Sequence, residues 1–199
     1  MPGTSILNQQ VLLVNQKAKF IELTNEYKVS DGDGNPVGSV VQVGQSKARK
    51  VLRFVSNVDQ FLTHKLEVRE ADGTVALRLT RPAKIMKSTV VVESADGKEI
   101  GKIRQQNVIG KINFAFEVGE RQIGSIQAEN WRAWNFAVVD ETGTEVARIT
   151  KKWEGVVKAT FTTADNYFVQ IHKPLTDPLR ALVIAAALCV DTALKQDDK

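Results

Sequence analysis

From Val11 to Ile171, apolar and polar residues alternate with a period of two, the spacing of strands with one buried face. Ile21, Leu23, Tyr27 and Val29 form one such set, and Val37, Ser39, Val41 and Val43 the next. Val75, Leu77 and Leu79 follow, then Ile112, Phe114, Phe116 and Val118. Trp134, Phe136 and Val138 make a further set, and Tyr167, Val169 and Ile171 the last. Roughly twelve runs of this kind are separated by dipeptides that close hairpins. Asp33-Gly34, Asp72-Gly73, Asp96-Gly97 and Thr142-Gly143 are the clearest, since Gly takes the positive φ of a tight turn.

The turns belong to an internal repeat. Gly34, Gly97 and Gly143 are each followed at the third position by Val or Ile, at the fourth by Gly or Ala, and at the sixth by Val or Ile. Gly73 and Gly119 head looser copies. Such regular spacing predicts a meander of hairpins that closes on itself.

One segment breaks the period. Pro178 to Leu194 reads PLRALVIAAALCVDTAL, apolar on every side of a helix. Asp177 is the expected N-cap, Pro178 the first helical residue, and Lys195 closes the last turn. Its uncharged core, Ala181 to Val190, is far short of the about 20 residues a bilayer span needs. A barrel of a dozen strands needs filling, and Ala181, Ala185, Ala186, Ala187 and Ala193 keep this rod thin. The expected fold is mostly β: a closed antiparallel barrel of roughly 12 strands enclosing a C-terminal hydrophobic α-helix. One domain is expected over residues 1–199, with strands across roughly 10–172 and the helix across roughly 178–195.

Composition adds limits. Hydrophobic residues are 43% of the chain and charged residues 25%, as in soluble globular proteins. The single cysteine, Cys189, lies in the apolar helix, which excludes a disulfide framework within one chain and makes a quiet thiol. The first residues have no basic stretch leading an apolar one, so no secretory leader is expected. The two histidines, His64 and His172, sit in strand-like runs without a nucleophile motif, and no covalent chemistry is expected. Asp31, Asp33 and Asn35 imitate the start of a calcium loop, but Pro36 stands at its glycine position and Gln42 at its glutamate position. That run reads as a turn.

A net charge of +4 leaves a modest basic surplus. It gathers at Lys47, Arg49, Lys50 and Arg53, at Arg78, Arg81, Lys84 and Lys87, and at Lys151 and Lys152 beside Trp153. The last two clusters are the candidate lipid-binding residues, because basic side chains attract anionic head groups. No groove-reading helix or stacking motif speaks for nucleic acid.

From Val146 to Leu194 the chain resembles the C-terminal part of the phospholipid scramblase family. The resemblance rests on Trp153, Gly155, Phe161, Ala164, Asp165, Asn166, Pro174, Leu175 and Asp191. Upstream, LTRPAK from Leu79 and GKEIGKIRQ from Gly97 resemble the family's Arg-Pro strand end and its next hairpin. The resemblance implies a short, bacterial-type member with the tubby-like fold shared by LURP-one-related proteins. It implies phospholipid scrambling as the family's activity, and for this chain a non-enzymatic, membrane-peripheral phospholipid-binding module. The alternative is a soluble scaffold that binds a protein partner. The expected partner is an anionic phospholipid or membrane surface, and the expected place is the cytoplasm or the inner face of the plasma membrane. Two departures matter. No cysteine stands between Ala83 and Ser88, where animal members are palmitoylated. Of the family's acidic calcium segment only Asp165 and Asp177 remain, with Thr163 and Thr176 near acidic family positions, so no cofactor is expected.

Overall fold

A computed structural model describes residues 5–15, 26–44, 63–82, 88–107, 113–130, 135–151 and 166–194. The strands in chain order are β1 (Val11–Asn15), β2 (Glu26–Ser30), β3 (Pro36–Val43), β4 (His64–Glu70), β5 (Val75–Arg81) and β6 (Thr89–Ser94). They continue as β7 (Glu99–Gln105), β8 (Asn113–Val118), β9 (Arg121–Asn130), β10 (Asn135–Asp140), β11 (Glu145–Thr150) and β12 (Asn166–Ile171). The helix α1 spans Leu179–Leu194. Each strand pairs antiparallel with its neighbours in sequence, and β1 pairs with both β2 and β12 to close the barrel.

The expected turns are present. Gly34, Gly73, Gly97 and Gly143 have φ of 88°, 86°, 87° and 82°, a region where a side chain would strain the backbone. The repeat has a structural meaning beyond the turn. In five hairpins the register slips once, leaving Val37, Ala76, Ile100, Ile123 and Val146 each unpaired as a β-bulge. A bulge flips the inward phase of the residues beyond it. In β3 the inward residue is therefore Val40, 1% exposed, while Val41 and Val43, read from the pattern as the buried face, are only half-buried.

The small residue after the bulge faces the barrel interior. A Cβ on Gly101 would lie 2.5 Å from the Glu117 carbonyl oxygen and 3.1 Å from Leu182 Cδ1 of the helix. Gly38 plays the same part for Ile6, whose Cδ1 would be 3.0 Å from an added Cβ.

The helix fills the barrel. Ala181 to Leu188 are each at most 3% exposed, packed against inward residues such as Leu79, Val92, Phe116, Phe136 and Ile149. Tyr167 Oη donates to the Ala187 carbonyl at 2.9 Å, tying β12 to the helix. The helix begins one residue later than expected. Pro178 is not its first residue: its carbonyl accepts from Leu182 N at 3.2 Å, the bond an N-cap carbonyl makes, so Pro178 stands where Asp177 was expected. Lys195 lies outside the described residues, as does the Cys189 side chain.

The N-terminal segment caps one end. A 3-10 turn, Ile6–Asn8, places Ile6 wholly inside. The Glu70 carboxylate accepts from Ser5 Oγ at 2.6 Å and from Ile6 N at 2.8 Å, and Arg180 Nη1 on the helix donates to Asn8 Oδ1 at 3.2 Å.

Candidate functional site

An up-and-down barrel sorts its connections onto two ends. The short turns 31–35, 71–74, 95–98, 119–120 and 141–144 share one end with the N-terminal 3-10 turn and the start of the helix. The strand ends at Asn15, Glu26, Val43, His64, Arg81, Thr89, Gln105, Asn113, Asn130, Asn135, Thr150 and Asn166 form the opposite rim.

The candidate lipid-binding residues distribute unevenly over this frame. Arg78 is on the outer wall in mid-strand, flanked in register by Glu67 on β4 and Glu93 on β6, so it faces carboxylates within the sheet. Arg81 ends β5 at the rim but follows Leu77 and Leu79 in the inward phase, and is only 6% exposed. Lys151 follows β11 at the same rim and is half-buried. Lys84, Lys87 and Lys152 lie outside the described residues. In sequence, Lys84 and Lys87 fall between β5 and β6, and Lys152 between β11 and β12. The rim thus holds Arg81 and Lys151 six strands apart, on opposite sides of the barrel, and leaves Arg78 to the wall.

Sequence reasoning passed over the polar lining just inside this rim. His64 and Gln105 continue the inward phase of Leu66 and Ile103, at 9% and 3% exposure, and Ser88 is buried with them. His64 Nδ1 meets Gln42 Nε2 at 3.1 Å. Gln105 Oε1 accepts from Ser88 N at 3.0 Å, and its Nε2 donates to the Asn107 carbonyl at 2.9 Å. The signal was available: a polar residue two positions along from buried apolar ones marks where a wall turns from core to mouth.

A second polar cluster stitches the outer wall. Arg148 on β11 donates to Glu145 at 2.8 and 2.6 Å, to Glu129 on β9 at 2.8 Å, and to Asn135 on β10 at 2.8 Å. His172 Nε2, just past β12, meets Glu145 Oε1 at 3.0 Å. The Arg148 hydrogen bonds hold both carboxyls below their usual range. The network spans four consecutive strands, and its geometry is that of a structural clasp.

The turn end is acidic by construction. Asp31 accepts from the backbone N–H of Asp33 at 2.9 Å and of Asn35 at 2.8 Å, so the calcium-like run is a self-closed turn. Asp140 does the same for Thr142 and Thr144, and also meets Lys173 at 3.3 Å. The Thr142 hydroxyl, then the turn N–H groups and Lys173, hold the Asp140 carboxyl at about 2, against 3.8 for a free aspartate. A carboxyl depressed in the folded state stabilises above its unfolded pKa and loses that contribution as pH falls through the folded one. Asp140→Ala is therefore expected to lower Tm at pH 7. The gap to the parent should shrink below pH 4 and close near pH 2; a constant gap over that window would refute the assignment.

Comparison with known proteins settles the lineage. A family model described as Scramblase matches residues 2–194. The chain belongs to the Scramblase family. Among curated relatives, a phospholipid scramblase family protein of Schizosaccharomyces pombe is 22% identical across 85% of this chain and 48% of its own length. The altered inheritance rate of mitochondria protein 25 of Saccharomyces cerevisiae is 22% identical across 95% of this chain and 71% of its own. The chain thus spans about half the length of the first relative. A crystal structure of an Arabidopsis thaliana protein superposes with a TM-score of 0.53 at 13% identity, covering 92% of this chain and 90% of that one, which supports the barrel fold. Among the described residues of this Scramblase chain, no helix is long and apolar enough to cross a membrane.

Proposed function

We propose that this Scramblase-family chain binds anionic phospholipid at a membrane surface, peripherally and without covalent chemistry. The observation that carries the peripheral part is the position of the one strongly apolar helical segment among the described residues. Ala181 to Leu188 are enclosed by the barrel wall, so this segment is committed to the protein interior. The lipid part draws on the family and on the basic surplus of the chain. Binding of this kind is electrostatic and must weaken as salt shortens the Debye length, about 8 Å at physiological ionic strength. Co-sedimentation with phosphatidylcholine vesicles, with and without phosphatidylserine, tests it. Pelleting is expected only with phosphatidylserine and is expected to decline with added salt. Equal pelleting with both vesicles, or none with either, would exclude this function and favour a scaffold that binds protein.

A further inference from the structure

Where folding alone decides, a barrel wall buries apolar side chains. At the rim, the last inward residues of β1, β8, β10 and β11 obey this: Val14, Phe114, Phe136 and Ile149. Over five consecutive strands the lining is polar instead, with Gln42 on β3, His64 on β4, Arg81 on β5, Ser88 just before β6 and Gln105 on β7. Each continues the inward phase of buried apolar residues, and all but the half-buried Gln42 are themselves buried.

What this arc presents is hydrogen-bond donors. Gln42 Nε2 can only donate, so His64 Nδ1 accepts from it and the ring proton stands on Nε2. Arg81, directly opposite His64 in the β4–β5 ladder, carries donors and no acceptor. Ser88 is held on both sides by Gln105: its N–H donates to Gln105 Oε1 at 3.0 Å, and its carbonyl accepts from Gln105 N at 2.8 Å. Its Oγ, in a residue only 4% exposed, has no hydrogen-bond partner among the described residues. Buried hydroxyls are rarely left so. Continuing the β5–β6 register from Thr80 and Val91 sets Arg81 opposite Val90, two residues from Ser88 on the same face. Such diagonal neighbours lie about 7–8 Å apart, within reach of a long side chain. Among the described residues, no Asp or Glu stands on the inward phase at this rim.

We infer that this arc is a phosphate-binding site inside the barrel mouth, with Arg81 as the charged anchor and His64 Nε2 and Ser88 Oγ as further donors. A planar guanidinium matches two phosphate oxygens at once, and the hydroxyl takes another. Gln42 and Gln105 are positioning residues: one sets the proton on His64, the other fixes the Ser88 backbone. The phosphate belongs to a lipid head group or is free in solution, and the site stands without the membrane binding proposed above.

The probe is inorganic phosphate at constant ionic strength, and the readout is thermal melting. The Tm of the parent is expected to rise with phosphate, because a ligand of the folded state stabilises it. Ser88→Ala removes a hydroxyl with no described partner, so without phosphate it should melt no lower than the parent. Its phosphate affinity should fall about tenfold or more, the loss of a hydrogen bond to a charged group. Arg81→Gln should abolish the rise. Co-sedimentation of the same variants with phosphatidylcholine vesicles containing phosphatidic acid separates the two sources. Weakened pelleting alongside lost phosphate stabilisation assigns the lipid head group; unchanged or absent pelleting assigns free phosphate. No rise in the parent, or an equal rise in Ser88→Ala, would overturn the site. So would an Arg81→Gln protein that melts lower yet gains as much from phosphate as its parent. Its guanidinium would then serve only the carbonyl end of the helix, which lies toward this rim.

Discussion

Leu182→Asp is expected to leave no folded barrel. Leu182 is wholly buried and packs against the bare backbone of Gly101. A carboxylate there would have to be neutralised, and raising its pKa by 3–5 units costs about 4–7 kcal/mol. The lost packing of the leucine adds about 2–5 kcal/mol. The sum rivals the whole stability of a typical domain, about 5–15 kcal/mol. Leu182→Ala, which omits the charge, should lower stability while leaving a cooperative fold. Circular dichroism and thermal melting of the purified variants decide the matter. A Leu182→Asp protein that melts like its parent would show that the helix is not the core.

Gly101→Val is the second large effect, and it acts from the wall. The backbone there does not need a glycine's freedom; the space does. The Cβ would be 2.5 Å from the Glu117 carbonyl oxygen, a backbone atom fixed by the β7–β8 ladder, and 3.1 Å from Leu182. Overpacking against backbone costs about 3 kcal/mol or more, which lowers Tm by roughly 6–12 °C for a chain of this size. Gly73→Ala makes the contrast. At φ +86° with nothing within 4 Å, it meets strain without collision and should cost about 1–2 kcal/mol. Equal melting temperatures for Gly101→Val and the parent would refute the close approach.

These two positions also show what could be read in advance. The twelve strands, the four Gly turns and the enclosed helix follow from period, turn chemistry and length, and Leu182 sits where the apolar rod demanded. What escaped was phase. A bulge adds one residue without altering composition, so Val37 shifts the inward face of β3 to Val40, and nothing in a two-residue alternation marks the slip. The inward turn of Arg81 is different, because continuing the phase of Leu77 and Leu79 would have found it. The charge pattern of the candidate site was legible only as a list of clusters. Along the chain, basic and acidic stretches offset one another and leave a net charge of +4.

The closure of the barrel through β1 and β12 bears on how the chain reaches this state. Leu12 pairs with Val169, and Tyr167 bonds to the helix that follows, so the ring cannot shut until β12 is present. During synthesis eleven strands emerge before the last one and before the rod that fills them. Until then the inner faces of those strands have no partner. Distant pairings of this kind make folding slow, on the order of milliseconds to seconds for β-rich domains. Exposed inner faces are also open to aggregation in that interval. Strand β12 and the helix after it are thus the elements that convert an open sheet into a closed, filled barrel.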